Sequence, residues 1–172
     1  MLRHNHRFSK DIDIFIGDAQ YLGHLTPRLN AVAESLTNNY IEQGGFLKLS
    51  FPEGEIDFVV AGSLTHSPFV VEQLLGRDVR VETSTEIIGK KVHYRRPQFT
   101  ARDLFDLSMV AEKESPALGP IQPILHSRRD VILERVATYQ KQFREDFAAL
   151  EVLDYHPTFD ECLERVKETL SQ

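Results

Sequence analysis

The sequence predicts an α+β fold, with a small sheet at the N-terminal side and a helical bundle at the C-terminal side. Two observations predict it. Short runs rich in isoleucine, valine and phenylalanine, punctuated by turn residues, occupy residues 11–83. From about Ser84 onward apolar residues recur at helical spacing behind repeated capping signals. The division expected from this change of character is a sheet subdomain over residues 1–83 and a helical subdomain over residues 84–172.

In chain order, Asp11-Ile-Asp-Ile-Phe-Ile16 alternates at its start, placing Asp11 and Asp13 on one strand face and Ile12 and Ile14 on the other. Gly17 and Asp18 close it. A helix ending near Thr37 follows, with Leu29, Val32, Ala33 and Leu36 as its apolar stripe and Pro27 in its first turn. Phe46 to Phe51 and Glu55 to Ala61 read as a hairpin across Pro52-Glu53-Gly54, residues 62–68 as a loop, and Val79, Val81 and Thr83 as a further strand. Thr83-x-x-Glu86 is a capping box for a helix through Lys91 to about Tyr94, which Pro97 ends. Thr100-x-x-Asp103 opens a second helix through Val110. Pro116, Gly119, Pro120 and Pro123 mark a loop region. The longest helix spans Ser127 to Leu150, with Ile132, Val136, Tyr139, Phe143 and Phe147 as a buried stripe. The last helix follows Pro157 and is capped by Thr158 and Glu161, with Phe159, Leu163, Val166 and Leu170 on its apolar side.

Composition narrows the function classes. The 172 residues, 41% hydrophobic and 27% charged, suit one globular domain that needs no staple. A single cysteine, Cys162, excludes an internal disulfide framework and a multi-cysteine zinc site, and fits a reducing cytoplasm. No apolar run approaches transmembrane length, and the N-terminus lacks the pattern of a secretory signal. A net charge of −6 argues against a protein that coats nucleic acid by charge alone.

Three sets of residues carry chemistry. Asp11 and Asp13, two apart on a strand, point the same way and repel unless a cation sits between them, and Mg²⁺ suits carboxylate and phosphate oxygens. Such a pair equally suits a solvated strand face, and it also marks phosphatases and sugar transferases. A phosphatase is disfavoured by the polar Arg7-Phe8-Ser9-Lys10 before the first aspartate. Asp57, on a neighbouring strand, completes a three-carboxylate set of the two-metal kind, with Glu55 its rival. The basic stretch Lys90, Lys91, Arg95, Arg96 and Arg102 can reach phosphates from helices or serve as a solvated face. Asp103 and Asp106 share one helix face, and Arg102 can pair with Asp106 at i, i+4. His4-Asn5-His6 carries almost no information by itself.

In order and spacing, three segments together resemble the AbiEii/AbiGii-type nucleotidyltransferases, DNA polymerase β-like enzymes that include toxins of bacterial toxin–antitoxin systems. They are Leu2 to Phe15, Glu86 to Arg95 and Phe99 to Leu107. The resemblance implies a small mixed sheet of the nucleotidyltransferase type. It implies Mg²⁺ held at a two-metal site by Asp11, Asp13 and Asp57, with Asp57 helping to deprotonate an acceptor hydroxyl. Lys91 would neutralise nucleotide phosphates, with Lys90 as the alternative. Ser9, Lys91 and Arg102 would bind nucleotide, and Asp103 and Asp106 would support Lys91 and Arg102. The implied reaction moves a nucleoside monophosphate from a nucleoside triphosphate to an acceptor such as RNA or transfer RNA, with a cognate antitoxin as partner. The family pattern begins upstream with a Gly-Gly-Ser/Thr turn and a helix whose end Leu2 and Arg3 match. The rest of that pattern has no counterpart in this sequence. The expectation is therefore an N-terminally shortened nucleotidyltransferase, or a catalytically impaired truncated relative acting as a protein-interaction module.

Overall fold

The structure is a computed structural model that describes residues 4–95 and 98–172. It is a mixed α+β fold with its helices toward the C-terminus, as the sequence predicts. Two compact units divide the chain: Ser9–Gly62, and Ser63–Gln172 joined by the segment that ends at Phe8. The division falls at 62/63, where the composition change had suggested 83/84.

The sheet unit holds β1 (Ile12–Ile16), β2 (Tyr40–Gln43), β3 (Phe46–Phe51) and β4 (Gly54–Val60), in the order β1-β4-β3-β2. β1 runs parallel to β4, and the other pairs are antiparallel, so the sheet is mixed. One face buries Leu47 and Leu49 with Ile16, Ile56, Phe58 and Val60, against Leu22 and Leu25. Each such leucine withdrawn from water contributes roughly 1.5–3 kcal/mol, and these contacts fix which face is left for the polar residues. β2 adds a strand to the predicted hairpin, joined to β3 by the two-residue loop Gly44-Gly45 between Gln43 and Phe46.

The single helix expected before Thr37 is instead two short ones, α1 (Leu22–Leu25) and α2 (Ala31–Leu36). Pro27 lies in the turn between them. Asn30 caps α2 by accepting from the backbone N–H of Val32 and Ala33. The expected stripe is exposed: Leu29, Val32 and Leu36 face solvent, and Ala33 alone of the four is buried.

The helical unit opens with the hairpin β5 (Phe69–Leu74) and β6 (Arg77–Glu82). β5 lacks a usual turn signal in the sequence, because its turn is Leu75-Gly76, with φ of 51° and 76°. Both central residues are left-handed, as a type I′ turn requires. A leucine pays for that conformation by roughly 1–2 kcal/mol, and Leu75 is 97% exposed, so no packing offsets the strain. Leu75→Asn is expected to stabilise the protein by about 0.5–1 kcal/mol, read as a higher urea midpoint at unchanged slope.

Four longer helices and a shorter one follow: α3 (Ser84–Arg95), α4 (Ala101–Lys113), α5 (Gln122–Thr138), α6 (Gln140–Ala148) and α7 (Phe159–Ser171), with a 3₁₀ segment over Ser115–Ile121. Pro97, expected to end α3, and Arg96 lie outside the described residues. The capping boxes of α4 and α7 form as predicted. That of α3 forms by half. The N–H of Glu86 donates to Thr83 Oγ1 at 3.2 Å. The fully buried Glu86 carboxylate turns away, accepting from the N–H of Leu64 and Thr65 and from Thr65 Oγ1 at 2.7–2.9 Å. It thereby staples the loop before β5 to α3. The long helix expected over residues 127–150 begins earlier, with Pro123 in its first turn, and breaks at Tyr139. Tyr139, expected in the core, is exposed and lies under the Arg135 guanidinium at 5.1 Å. Ile132, Val136 and Phe143 are buried as predicted, and so is Cys162. The core of this unit is one cluster drawn from α3 to α7. Among the described residues no helix is long and apolar enough to cross a membrane.

Candidate functional site

The sheet unit gathers carboxylates on the face opposite its core. Strand alternation sends Leu47, Leu49, Ile56 and Phe58 inward, and so sends Lys48, Glu55 and Asp57 to the other side. The parallel register pairs Asp13 directly with Asp57, and the antiparallel register pairs Asp57 with Lys48. Lys48 Nζ lies 3.6 Å from Asp57 Oδ2 and is bonded to Glu55. Glu55 thus takes the lysine, while Asp57 stands beside Asp13. Burial, opposed by Lys48 but helped by Asp13 and Glu55, raises the pKa of Asp57 above the usual aspartate value. Asp57 Oδ1 is buried without a hydrogen-bond partner. Asp11, half-buried just before β1, is close enough for its charge to act on Lys48, whose pKa is raised chiefly by the Glu55 bond.

Among the described residues no group of three or more His, Cys, Asp or Glu is arranged to hold a metal ion. What the sheet brings together is a pair, Asp13 and Asp57. A buried carboxylate oxygen without a donor, next to a second carboxylate, fits a hard cation. Mg²⁺ in particular takes one or two protein carboxylates and completes its shell with water and phosphate. Ser9 is half-buried in the segment leading to β1.

The helical unit assembles the second set. Lys91, on α3, donates to Asp106 on α4 and lies 3.5 Å from Asp103 Oδ1. Asp103 is 1% exposed. It accepts from Arg95 Nη1 at 2.7 Å and from the N–H and Oγ1 of its cap Thr100. Asp106 is buried as well. Arg7 donates to both its oxygens, Nε to Oδ1 at 2.7 Å and Nη2 to Oδ2 at 2.8 Å, and His6 Nε2 lies 3.0 Å from Oδ1. Burial alone would raise the pKa of Asp106, but Lys91, Arg7 and His6 together hold it well below the usual carboxylate range. The predicted Arg102–Asp106 pair does not form. Arg102 is exposed on α4, and Asp106 points into the cluster. Lys90 also separates from Lys91. It is 5% exposed and paired with Glu82 and Glu86, so it serves α3 rather than an anion.

His6 and Arg7 are the members of this cluster that sequence reasoning did not single out as site residues. They lie in a segment bound to residues 151–154: Phe8 N–H donates to Glu151 O, Leu153 N–H to His6 O, and Arg7 bridges Val152. Their partner Asp106 is 99 residues away in sequence from Arg7, so no local spacing signals the pair.

A family model of the nucleotidyl transferase AbiEii toxins, a type IV toxin–antitoxin system, matches residues 1–165. Two crystal structures from Helicobacter pylori share the fold. One, of a protein titled a candidate nucleotidyltransferase, is 17% identical with a TM-score of 0.54, and the match covers 96% of this chain and 77% of that one. The other, JHP933, is 16% identical with a TM-score of 0.55, covering 96% and 75%. At such identities the likeness is one of fold alone. No curated protein sequence matches the chain. The family match spans nearly the whole sequence. The chain belongs to the AbiEii family of nucleotidyl transferase toxins.

Proposed function

We propose that this protein transfers a nucleoside monophosphate from a nucleoside triphosphate to an acceptor hydroxyl on RNA, including transfer RNA, in a Mg²⁺-dependent reaction of the cytoplasm. The observation that carries the reading is the in-register pair of Asp13 and Asp57 on parallel strands, with one Asp57 oxygen buried and unpaired. Asp13 and Asp57 are the residues that would hold Mg²⁺; Asp11, just before β1, is proposed as a further carboxylate of the site, although the described residues form no ready three-carboxylate group. Bound there, the metal supplies charge neutralisation for phosphoryl oxygens. Asp57 is the carboxylate proposed to help take the proton of the acceptor hydroxyl. Lys91, Ser9 and Arg102 are proposed to bind the nucleotide, Lys91 by meeting phosphate charge. An antitoxin protein is the proposed partner. Full-length protein incubated with labelled nucleoside triphosphates, Mg²⁺ and total RNA is expected to label RNA, and Asp13→Ala is expected to reduce labelling by at least about a hundredfold. Absence of label from every nucleotide and RNA class would sink the activity.

One observation favours a second reading, a catalytically impaired interaction module. Lys48 stands 3.6 Å from Asp57, where its ammonium can substitute for a bound cation. Calorimetric titration with Mg²⁺ and nucleoside triphosphate separates the two. Micromolar binding supports the enzyme, and absence of binding supports the module.

A further inference from the structure

The Asp106 cluster contains more positive charge than its carboxylates need. Arg7, Lys91 and Arg95 face Asp103 and Asp106, so one positive charge is left over before His6 is counted. The cations are not equally accessible. The Arg7 side chain is 4% exposed, that of Lys91 15% and that of Arg95 45%. An anion arriving from solvent therefore meets Lys91 and Arg95, and never touches Arg7.

Arg7 nonetheless governs what that anion meets. Its planar fork takes both oxygens of Asp106, the bidentate arrangement in which guanidinium and carboxylate pair best. Lys91 shares one of those oxygens. Without Arg7, Asp106 would be left to Lys91 and His6, and the charge on the accessible edge would be cancelled. The backbone holds Arg7 in place independently of this pair, through the bonds of His6 and Phe8 to residues 151–153.

We propose that Arg7 is a positioning residue for Lys91: by occupying Asp106 from the buried side, it leaves the Lys91–Arg95 edge with one unbalanced positive charge for the polyphosphate of a nucleoside triphosphate. This rests on the reading of Lys91 as the phosphate-neutralising residue. It adds a buried residue to the binding apparatus, acting through Asp106 and not by contact.

Charge and structure make opposite forecasts, which allows a test. The probe is inorganic tripolyphosphate, titrated calorimetrically into the full chain at low ionic strength, with folding of each variant verified by circular dichroism. Wild type is expected to bind. Arg7→Gln, which removes the spare charge, is expected to bind about tenfold more weakly. Arg7→Lys keeps the charge and loses the fork. Arg7→Gln combined with Asp106→Asn loses the ion pair but restores the balance. Both are expected within about threefold of wild type. Asp106→Asn alone, one charge higher, is expected to bind at least as tightly as wild type, and it decides the matter if Arg7→Gln fails to fold. The proposal is overturned if wild type does not bind, if Arg7→Gln binds as wild type does, if the double variant is as weak as Arg7→Gln, or if Asp106→Asn binds more weakly. Tripolyphosphate carries no nucleoside. Binding without nucleotide transfer would therefore count against the proposed reaction and leave the role of Arg7 standing.

Discussion

Asp57→Asn is expected to abolish nucleotidyl transfer and, at neutral pH, to raise the melting temperature. The two effects have one origin. In the folded protein Asp57 is partly buried, faces Asp13 across the parallel register and has Glu55 on its own strand face. Burial and the two like charges disfavour its ionised form more than Lys48 favours it, so its pKa is raised. A carboxyl whose folded pKa lies above its unfolded value binds its proton more tightly when folded. Its contribution to stability is therefore present at low pH and is lost as pH rises through the folded pKa. At neutral pH the ionised Asp57 costs stability, and asparagine, similar in shape and uncharged, removes that cost. Lys48 keeps its bond to Glu55 in the variant. Transfer should fall by at least about a hundredfold, the size of effect seen when one preorganised electrostatic group is removed. The measurements are a pair: label transfer to RNA, and thermal melting between pH 4 and pH 8. The gain in stability should shrink as the pH is lowered. Full activity in Asp57→Asn would remove Asp57 from the site, and a lower melting temperature at pH 7 would show that Lys48 dominates its surroundings.

How much of this could be seen in the chain before its structure depends on how local the signal is. The caps of α4 and α7 were legible because each is a four-residue motif whose hydrogen bonds close on themselves. Asp13 and Asp57 were legible as strand acids, but their pairing was not. The register of two parallel strands is set by the helices and strands threaded between them. Tyr139 fits the apolar period and still lies outside the core, because the chain breaks there between α5 and α6. Leu75-Gly76 hid a hairpin since its first turn residue is one that rarely adopts a left-handed conformation. Asp103 and Asp106 were read as a pair on one face, which both contacts to Lys91 bear out. Arg102, four residues before Asp106, was the obvious partner by helical spacing. Arg7 displaced it from across the sequence, since a buried carboxylate takes the donors its tertiary setting supplies.

That buried setting gives the largest expected effect on stability. Arg7→Met alone should destabilise the protein by about 3–5 kcal/mol, the usual consequence of leaving a buried charge without its main partner. Arg7→Met combined with Asp106→Leu should cost far less, because an apolar pair of similar volume avoids the desolvation that both charges suffer. The same carboxylate sets an acid limit. Burial opposes its ionisation, yet Lys91, Arg7 and His6 hold its folded pKa well below the unfolded value of about 3.8. A carboxyl with a depressed folded pKa contributes stability that is fully present above its unfolded pKa and is lost as pH falls toward the folded one. Wild type should therefore lose stability steeply below about pH 4, and the double variant should show a shallower decline over that range. Urea unfolding at pH 7 and at pH 3 for wild type, Arg7→Met and the double variant separates the terms. If the double variant is as unstable as Arg7→Met at pH 7, the cost lies in lost packing around residue 7 and not in the stranded charge of Asp106.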